Sequence, residues 1–421
     1  MRGVWVLIGL GVICGVLSCS GGEGEGYVLL RQEAVGARIE KDSVHSSWYV
    51  FRREGLDTLR GWRWVLVLHR PTRHLIDSLL DLGIKVEAVY APEHGLWGEV
   101  AAGSTVRDTV YRGVPVYSLY GKRRAPAADE LRKVDAVLFA LRDVGVRYYT
   151  YLSTLSLVLK AAAQAQKPVW VLDFPNPHAH YAYGALMDSS YFSFVGLHAT
   201  PLVLGLTIGE YARLLVGEGW VPAGAVQVVP WRGWRRGAVD TTEWAVEARF
   251  FWGEAPSPAL RSGEAIHLYP ILGWYDGSKA VSVGRGLDSA FTLVGWDPAR
   301  EAPDLPFRDT VLYEYRLRAT RFVPQVGARK GEICAGWRIT PPSEIKPDSL
   351  FRLGFVLLKA AYAAEEDSEA VFGDLELFDK LAGTPLVRWY VERGLAVEEM
   401  YRDFRAPETW ERLRAHYQLY P

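Results

Sequence analysis

Residues 62–95, WRWVLVLHRPTRHLIDSLLDLGIKVEAVYAPEHG, contain two apolar runs that flank a stretch with helical spacing. Trp64 to His69 and Val86 to Tyr90 are typical of buried strands, and Thr72 to Leu82 between them predicts a helix. A strand, a helix and a strand in this order form the unit of a parallel sheet covered by helices. The segment therefore predicts an α/β fold in which the polar sequence Pro92 to Gly95 directly follows the second strand.

The same alternation continues through the first half of the chain. The helix predicted at Thr207 to Gly217 opens with a capping box, because Thr207 stands three residues before Glu210. After Trp220, turn-forming pairs such as Tyr269-Pro270 separate shorter runs, which predicts a second domain of α+β type. Further strands are predicted at Val114 to Tyr117, Ala136 to Leu141, Val169 to Asp173 and Phe291 to Val294, and further helices at Ala127 to Val134, Thr150 to Gln166, Phe351 to Ala364, Asp374 to Leu381, Pro385 to Arg393 and Ala396 to Phe404.

The length of 421 residues indicates two domains, because a single core of that size is unusual. We predict an α/β domain with a parallel sheet in residues 27–225 and a second, α+β domain in residues 226–421. The 48 Lys and Arg residues balance 49 Asp and Glu residues without a sustained basic run, which argues against a nucleic-acid surface. Aromatic residues make up 13% of the chain. Their flat faces suit sugar rings, although most buried aromatics fill cores.

Residues 1–26 predict an export leader and linker. Met1-Arg2 precedes an apolar run, Val4 to Leu17, that is too short to cross a bilayer comfortably. The run ends at Cys19, as in a bacterial lipoprotein signal, so we expect an exported protein of the periplasm or outer membrane with a lipid anchor on Cys19. The alternative is a plain secretory signal with a chance cysteine, because Leu17 is not the favoured residue at its position.

Cysteine and histidine spacing predicts neither a disulfide framework nor a metal site. Cys334 is the cysteine that remains after the leader, and a lone thiol between Ile333 and Ala335 is typical of core filling. No CxxC, HExxH or HxxE spacing occurs, and no GxGxxG spacing is found among the leader glycines. We therefore expect no metal and no dinucleotide cofactor.

Polar residues directly follow four of the predicted strands. The carboxyl ends of parallel strands meet at one edge of a sheet, and ligands bind at that edge. We therefore predict one site there, built from four loops. The loops are Ala91 to Gly95, Ser118 to Gly121, Arg142 to Tyr149 and Asp173 to Pro177.

Two carboxyl groups in these loops are candidates for chemistry. Glu93 lies at a strand end beside His94, where burial under a second domain would raise its pKa and suit acid or base catalysis; the alternative is a turn residue. Asp143 either orients a hydroxyl or ammonium group or caps the following helix. Arg147 and Tyr148 point to opposite faces if their segment is extended, so they contact one ligand only if the loop turns.

The remaining candidates each have a structural alternative. Asp173 either takes part in chemistry or braces a loop, and Asn176, held between prolines, offers its amide to a sugar. His178 and His198 are either ligands or satisfied loop histidines. Arg285, between two glycines, either approaches an anion such as a lactyl carboxylate or forms an interdomain ion pair.

As a set, these segments resemble the NamZ-type exo-β-N-acetylmuramidases, a glycoside hydrolase family once catalogued as a domain of unknown function, DUF1343. The resemblance covers nearly the whole chain from Trp62 onward. The matching segments are Ala91 to Gly95 with Gly98-Glu99 and Ala102-Gly103, Ser118 to Gly121, Asp143 to Tyr151 (DVGVRYYTY), Asp173 with Pro175 to Pro177, Gly205 to Ala212, Ser257-Pro258, Ser282 to Gly286, Phe378 to Gly383 and Tyr417 to Tyr420.

The resemblance implies a Rossmann-like domain without a nucleotide, a C-terminal auxiliary domain, and a cleft between them that removes terminal N-acetylmuramic acid from peptidoglycan fragments. Glu93 matches the family's catalytic glutamate and is expected to act as general acid. Because the substrate's acetamido group can serve as an internal nucleophile, Asp143 is the candidate that steers it. The predicted substrate-binding residues are His94, Tyr120, Arg147, Tyr148, Tyr151, Asp173, Asn176 and Arg285.

The chain also departs from the family pattern. Loss of polar side chains in a cleft would leave their partners unpaired at a cost of ~1–3 kcal/mol each. A catalytically weakened sugar-binding lipoprotein of the same family is therefore the main alternative. A periplasmic solute-binding protein is disfavoured, because the second half does not repeat the first. The departures are His69-Arg70 for Thr-Asn, Arg142 for Gln, Phe174 for Arg, Tyr183 for an acidic residue, Val203-Leu204 for Arg-His and Asp276 for Glu.

Overall fold

The computed structural model describes residues 45–55, 60–100, 103–104, 106–222, 224–236 and 254–421. The predicted export leader, including Cys19, lies outside these residues. Within them, no helix is long and apolar enough to cross a membrane.

The first half of the chain forms a seven-stranded sheet with the order β3-β4-β2-β1-β5-β6-β7. All neighbours are parallel except β3, which runs antiparallel to β4. The strands are β1 (Arg63–Leu68), β2 (Lys85–Ala91), β3 (Thr109–Tyr111), β4 (Val114–Ser118), β5 (Ala136–Ala140), β6 (Val169–Leu172) and β7 (Val226–Val229). The helices are α1 (Ser47–Glu54), α2 (His74–Asp81), α3 (Ala128–Arg132), α4 (Tyr151–Gln164) and α5 (Ile208–Gly217).

Helices cover both faces of this sheet because β1 is apolar on both faces. Val65 and Val67 belong to one buried cluster together with α4 and α5, whereas Trp64, Leu66 and Leu68 belong to another with α1 and α2. The order of the parallel strands is that of a Rossmann-like sheet, confirming the predicted α/β class. The chain continues from β1 to β2 on one side of the sheet and later adds β5 on the other side of β1. The crevice where such folds bind ligands therefore lies between the carboxyl ends of β1 and β5.

The second half combines a four-stranded antiparallel sheet, ordered β8-β11-β10-β9, with helices. This arrangement confirms the predicted α+β architecture. Its strands are β8 (Leu293–Trp296), β9 (Thr310–Leu312), β10 (Tyr315–Phe322) and β11 (Cys334–Thr340). Its helices are α6 (Gly263–Leu272), α7 (Pro347–Ala364), α8 (Glu369–Phe372), α9 (Leu375–Ala382), α10 (Leu386–Glu392), α11 (Val397–Asp403) and α12 (Glu408–Tyr417).

Strand β7, which begins at the predicted boundary, pairs with β6 and so belongs to the first sheet. One local expectation is corrected by the structure. The pair Tyr269-Pro270 was expected to separate runs, yet Pro270 lies inside the buried helix α6. Proline cannot donate to the carbonyl of Ile266, and the His178 ring makes that hydrogen bond instead, with Nε2 2.9 Å from the oxygen. His178 is therefore a loop histidine whose ring is hydrogen-bonded within the protein.

The two halves are joined by buried hydrogen bonds between distant parts of the chain. Arg147, after β5, donates to the Leu381 carbonyl of α9 at 3.0 Å and to the Thr200 carbonyl at 2.9 Å. At the C-terminus, the Tyr420 hydroxyl donates to Asp173 at 2.6 Å. The last residues of the chain therefore help to fix the loop that follows β6.

Gly383 and Gly394 test the contact between Arg147 and α9. Both have positive φ, +82° and +68°, but a Cβ at Gly383 would overlap the Arg147 guanidinium whereas Gly394 faces open space. We expect Gly394→Ala to reduce the free energy of unfolding by ~1 kcal/mol through backbone strain alone. Gly383→Ala should reduce it by ~3 kcal/mol, because Arg147 must also give up a hydrogen bond. Urea unfolding measures both; equal losses would contradict this assignment.

Candidate active site

Glu93 is presented by a tight turn at the carboxyl end of β2. The next two residues, His94 and Gly95, both have positive φ, +73° and +74°. The strained backbone at His94 is held by its own ring, whose Nδ1 donates to the Val100 carbonyl at 2.7 Å. Burial lowers the pKa of His94, so the neutral ring that makes this hydrogen bond is favoured. His94 therefore shapes the loop that carries Glu93.

The carboxyl group of Glu93 is held at both oxygens. Oε1 accepts a hydrogen bond from the Gly103 amide at 3.0 Å, and Oε2 accepts one from the Thr150 hydroxyl at 3.1 Å. The Tyr120 hydroxyl also bonds to Glu93; burial, together with the Glu93 charge, raises the pKa of Tyr120 to about 12. Tyr120 thus remains a donor near neutral pH. The sheet edge predicted from the sequence brings Glu93 and Tyr120 together in this way.

Arg285 brings a charge from the second half close to Glu93 and His94, since its field acts on both. Its Nε donates to Asp276 at 2.9 Å, and its guanidinium lies 5.0 Å from the centre of the Phe291 ring. Burial alone would lower the pKa of Arg285, but the Asp276 carboxylate outweighs it and the pKa is raised. This ion pair lies within the second half, so it differs from the interdomain pair expected as one alternative.

Asp143 is buried below the cleft, with 3% of its surface exposed. Its Oδ1 accepts a hydrogen bond from the Gly145 amide at 2.6 Å, while its Oδ2 is buried without a partner. Burial raises the pKa of Asp143 to about 8, so at neutral pH this group is mostly a neutral acid. Asp143 fixes a turn rather than capping a helix. The turn begins the segment that carries Thr150 to Glu93.

The crevice between β1 and β5 is closed by a hydrogen-bonded histidine. The Nε2 atom of His69 accepts from the Arg142 amide at 3.0 Å, which leaves the Nδ1 proton to face the Tyr151 hydroxyl at 3.2 Å. Burial lowers the pKa of His69 well below its usual value, consistent with this neutral form. Tyr151 is therefore a buried residue whose hydroxyl lies between His69 and the Pro256 carbonyl, and its contact with substrate stays a prediction.

Arg147 and Tyr148 lie in the interior. Both terminal nitrogens of the Arg147 guanidinium donate to backbone carbonyls, and burial lowers its pKa to about 9. The Tyr148 hydroxyl donates to the Tyr269 carbonyl at 2.6 Å. These contacts with fixed protein groups correct the expectation that either side chain faces a ligand.

Asp173 and Asn176 are also engaged by the fold. Asp173 accepts hydrogen bonds from the Phe174 and Gly209 amides and from the Thr207 and Tyr420 hydroxyls. Asn176 uses its oxygen on the His178 amide and its nitrogen on the Leu206 carbonyl. The bracing alternative for Asp173 thus describes its position, and both polar atoms of the buried Asn176 side chain bond to backbone groups.

Several positions that depart from the family pattern contact neighbouring residues of the protein. Arg70 pairs with Glu254 at 2.9 Å, and the Arg142 guanidinium lies 5.2 Å from the centre of the Phe174 ring. Tyr183 was expected in a cleft loop, but it is buried and stacks 3.7 Å from Phe351. Its difference from the family is therefore a difference in packing.

Sequence reasoning missed Thr150, Arg124 and Phe194 as members of the site. Thr150 lies in the DVGVRYYTY segment, but its hydroxyl meets Glu93 only through the fold. Arg124 stacks on Tyr120 and Phe194 at the rim. The pair Arg123-Arg124, shortly after the third predicted strand, was the available signal for a charged rim. Among the described residues, no group of His, Cys, Asp and Glu could hold a metal ion.

The fold and this arrangement define a two-domain α/β protein that holds a carboxyl, Glu93, at the ligand edge of a Rossmann-like sheet, near Arg285 of the second α+β unit. Family models for the N-terminal and C-terminal domains of exo-β-N-acetylmuramidase NamZ match residues 67–264 and 267–420. The chain therefore belongs to the NamZ family.

Individual proteins agree with this assignment. The peptidoglycan β-N-acetylmuramidase NamZ of Bacillus subtilis (strain 168) is 33% identical over 344 residues, which is 80% of each chain. Crystal structures of two DUF1343 family proteins from Bacteroides fragilis are each 26% identical and superpose with TM-scores of 0.73 and 0.69. Each superposition covers 90% of this chain and 99% of the other.

Asp143 and Asp173 should respond in opposite ways to replacement by asparagine. The folded-state pKa of Asp143, about 8, lies above the unfolded value of ~3.9, so its stabilising effect is complete below pH 4 and is lost as the pH rises through 8. Asp143→Asn cannot ionise, and at pH 9 it should be more stable than wild type by ~2 kcal/mol or more.

Asp173→Asn is the matched comparison. In this variant an amide replaces the carboxylate that accepts hydrogen bonds from four donors in wild type. At pH 7.5 its free energy of unfolding should be ~2–4 kcal/mol lower than that of wild type. Urea unfolding between pH 5 and 9 measures both variants. A loss of stability for Asp143→Asn that is constant with pH would contradict a neutral Asp143.

Proposed function

We propose that this protein is an exo-acting glycoside hydrolase that releases terminal β-linked N-acetylmuramic acid from peptidoglycan fragments. The observation that carries the proposal is the position of Glu93, a carboxyl held by Gly103, Tyr120 and Thr150 in a cleft between two halves whose family is NamZ. The relative from B. subtilis is a peptidoglycan β-N-acetylmuramidase, which supports the choice of substrate.

In the proposed reaction Glu93 donates a proton to the glycosidic oxygen as the bond to the anomeric carbon breaks. The acetamide oxygen of the same sugar attacks that carbon, so a second protein carboxylate is not required as nucleophile. Water then opens the cyclic intermediate and returns a proton to Glu93, which restores the acid. His94 and Thr150 serve to place the Glu93 carboxyl.

Asp143 acts in this proposal as a positioning residue. Its bond to the Gly145 amide fixes the turn from which the chain continues to Thr150, and Thr150 donates to Glu93. Besides burial, the charged forms of Asp143 and Glu93 would both raise the pKa of Tyr151 and Tyr269, which places these phenols near both carboxyl groups. Direct steering of the acetamide by the Asp143 Oδ2 stays a prediction.

Glu93→Gln tests the acid role through its dependence on the leaving group. Protonation matters most when the leaving group is a sugar alkoxide and least when it is a stable nitrophenolate. We expect kcat to fall about 10²- to 10⁴-fold on N-acetylmuramyl-β-1,4-N-acetylglucosamine, with a much smaller fall on the 4-nitrophenyl glycoside. Glu87→Gln, at the exposed opposite end of β2, is the matched control and should retain activity.

The outcomes separate the proposed hydrolase from the alternative. Equal losses on both substrates would remove Glu93 from the acid role. A folded wild-type protein that binds the disaccharide without turnover would be a cell-wall sugar-binding protein of the same family. Release from an N-acetylglucosamine glycoside but not from its muramic counterpart would overturn the proposed substrate.

We also propose a lipid anchor at Cys19, which would hold the cleft close to the cell wall. In bacteria fed an alkynyl fatty acid, the full chain should acquire the label and fractionate with membranes. Cys19→Ser should abolish the label, whereas Cys14→Ser, within the predicted leader, should leave it unchanged. Export without label in the wild type would indicate the plain secretory signal.

A further inference from the structure

The guanidinium of Arg124 lies at the rim of the cleft between two aromatic rings. Its central carbon is 3.9 Å from the centre of the Phe194 ring and 4.8 Å from that of Tyr120. The hydroxyl of Tyr120 bonds to Glu93, so one phenol ring separates the guanidinium from the proposed catalytic carboxyl. Contact with two rings, whose centres lie 6.4 Å apart, restricts the positions that the guanidinium can take.

Arg124 carries a charge that the described part of the chain does not neutralise. It makes cation–π contacts, but no hydrogen bond or ion pair with any described residue, and its Nη1 is buried without an acceptor. The Nη1 of Arg123 is also buried without a partner, but the Nη2 of Arg123 lies 3.6 Å from Glu130, and Arg285 is paired with Asp276. A guanidinium whose donors have no carboxylate partner is suited to bind an anionic group of a ligand.

We propose that Arg124 binds the lactyl carboxylate of N-acetylmuramic acid and selects this sugar over N-acetylglucosamine, which lacks the lactyl group. The inference rests on the proposed function and adds the residue that determines its specificity. Arg285 is less suited to this role, because Asp276 already neutralises its guanidinium. Tyr120 then connects sugar selection with catalysis, because its ring contacts Arg124 and its hydroxyl bonds to Glu93.

Steady-state kinetics of Arg124→Gln test the role on 4-nitrophenyl glycosides of the two sugars. For the muramic substrate we expect KM to rise about 10- to 100-fold, as for loss of a charged hydrogen bond, with kcat within about threefold of wild type. The kcat/KM for the N-acetylglucosamine substrate should be unchanged. Arg123→Gln, which removes the adjacent guanidinium stacked on Tyr117, is the matched control and should leave both substrates unaffected.

Calorimetric binding separates this inference from the proposed hydrolysis. The ligands are N-acetylmuramic acid and its lactyl methyl ester, which differ in the charge of the carboxyl group. Wild type should bind the acid at least about tenfold more tightly than the ester; Arg124→Gln should lose this preference, and Arg124→Lys should keep part of it. If Arg124→Gln fails to fold, the test is the smaller preference of Arg124→Lys for the acid over the ester.

Three results would overturn the role of Arg124: equal binding of acid and ester by wild type, an unchanged preference in folded Arg124→Gln, or loss of the preference in Arg285→Gln but not in Arg124→Gln. A normal preference in a protein that hydrolyses neither glycoside nor disaccharide would refute the hydrolase and leave the carboxylate site in place.

Discussion

The burial of Arg147 and the two tyrosines after it constrains the whole structure. A buried guanidinium is tolerated only where its donors are satisfied, and here its terminal nitrogens are satisfied by the Thr200 and Leu381 carbonyls. Tyr148 and Tyr149 donate to the Tyr269 and Pro256 carbonyls at 2.6 and 3.0 Å. Three consecutive side chains from the end of β5 are thus bonded into later parts of the chain. The next residue, Thr150, donates to Glu93, so the same segment joins the two halves and places the candidate acid.

The pKa of each buried carboxyl group depends on how many hydrogen-bond donors contact it. Asp173 is fully buried, but its pKa rises only to about 6 because four donors stabilise its charge. Asp143 has one donor and a pKa of about 8. Two aspartates at neighbouring strand ends therefore differ in protonation at neutral pH. The Glu93 carboxyl is half-buried and accepts hydrogen bonds from Gly103 and Thr150.

The strand ends therefore contribute polar residues of two kinds. Asp173, Asn176 and Arg147 hold loops in place through bonds to fixed protein groups. Glu93, Tyr120 and Arg285 remain at the cleft between the halves. The rim formed by Arg124 and Phe194 adds a charge of the sign that an acidic sugar requires. Placement of a loop at the ligand edge of a sheet is thus not enough to make each of its polar residues a ligand contact.

Much of the fold was determined by the sequence itself, because strand and helix periodicity is local. The alternation from Trp64 to Asp173 predicted β1, β2, β4, β5 and β6 within one or two residues, and it placed Glu93 and Tyr120 at one edge. Short β3 and β7 were missed, since strands of three and four residues carry little periodicity. Only the tertiary structure decided that Arg147 is buried, that Tyr420 braces Asp173 and that Arg124 stacks beside the phenol bonded to Glu93. Those partners are far apart in sequence, and the burial and hydrogen bonding that determine a polar side chain's role exist only once the chain has folded.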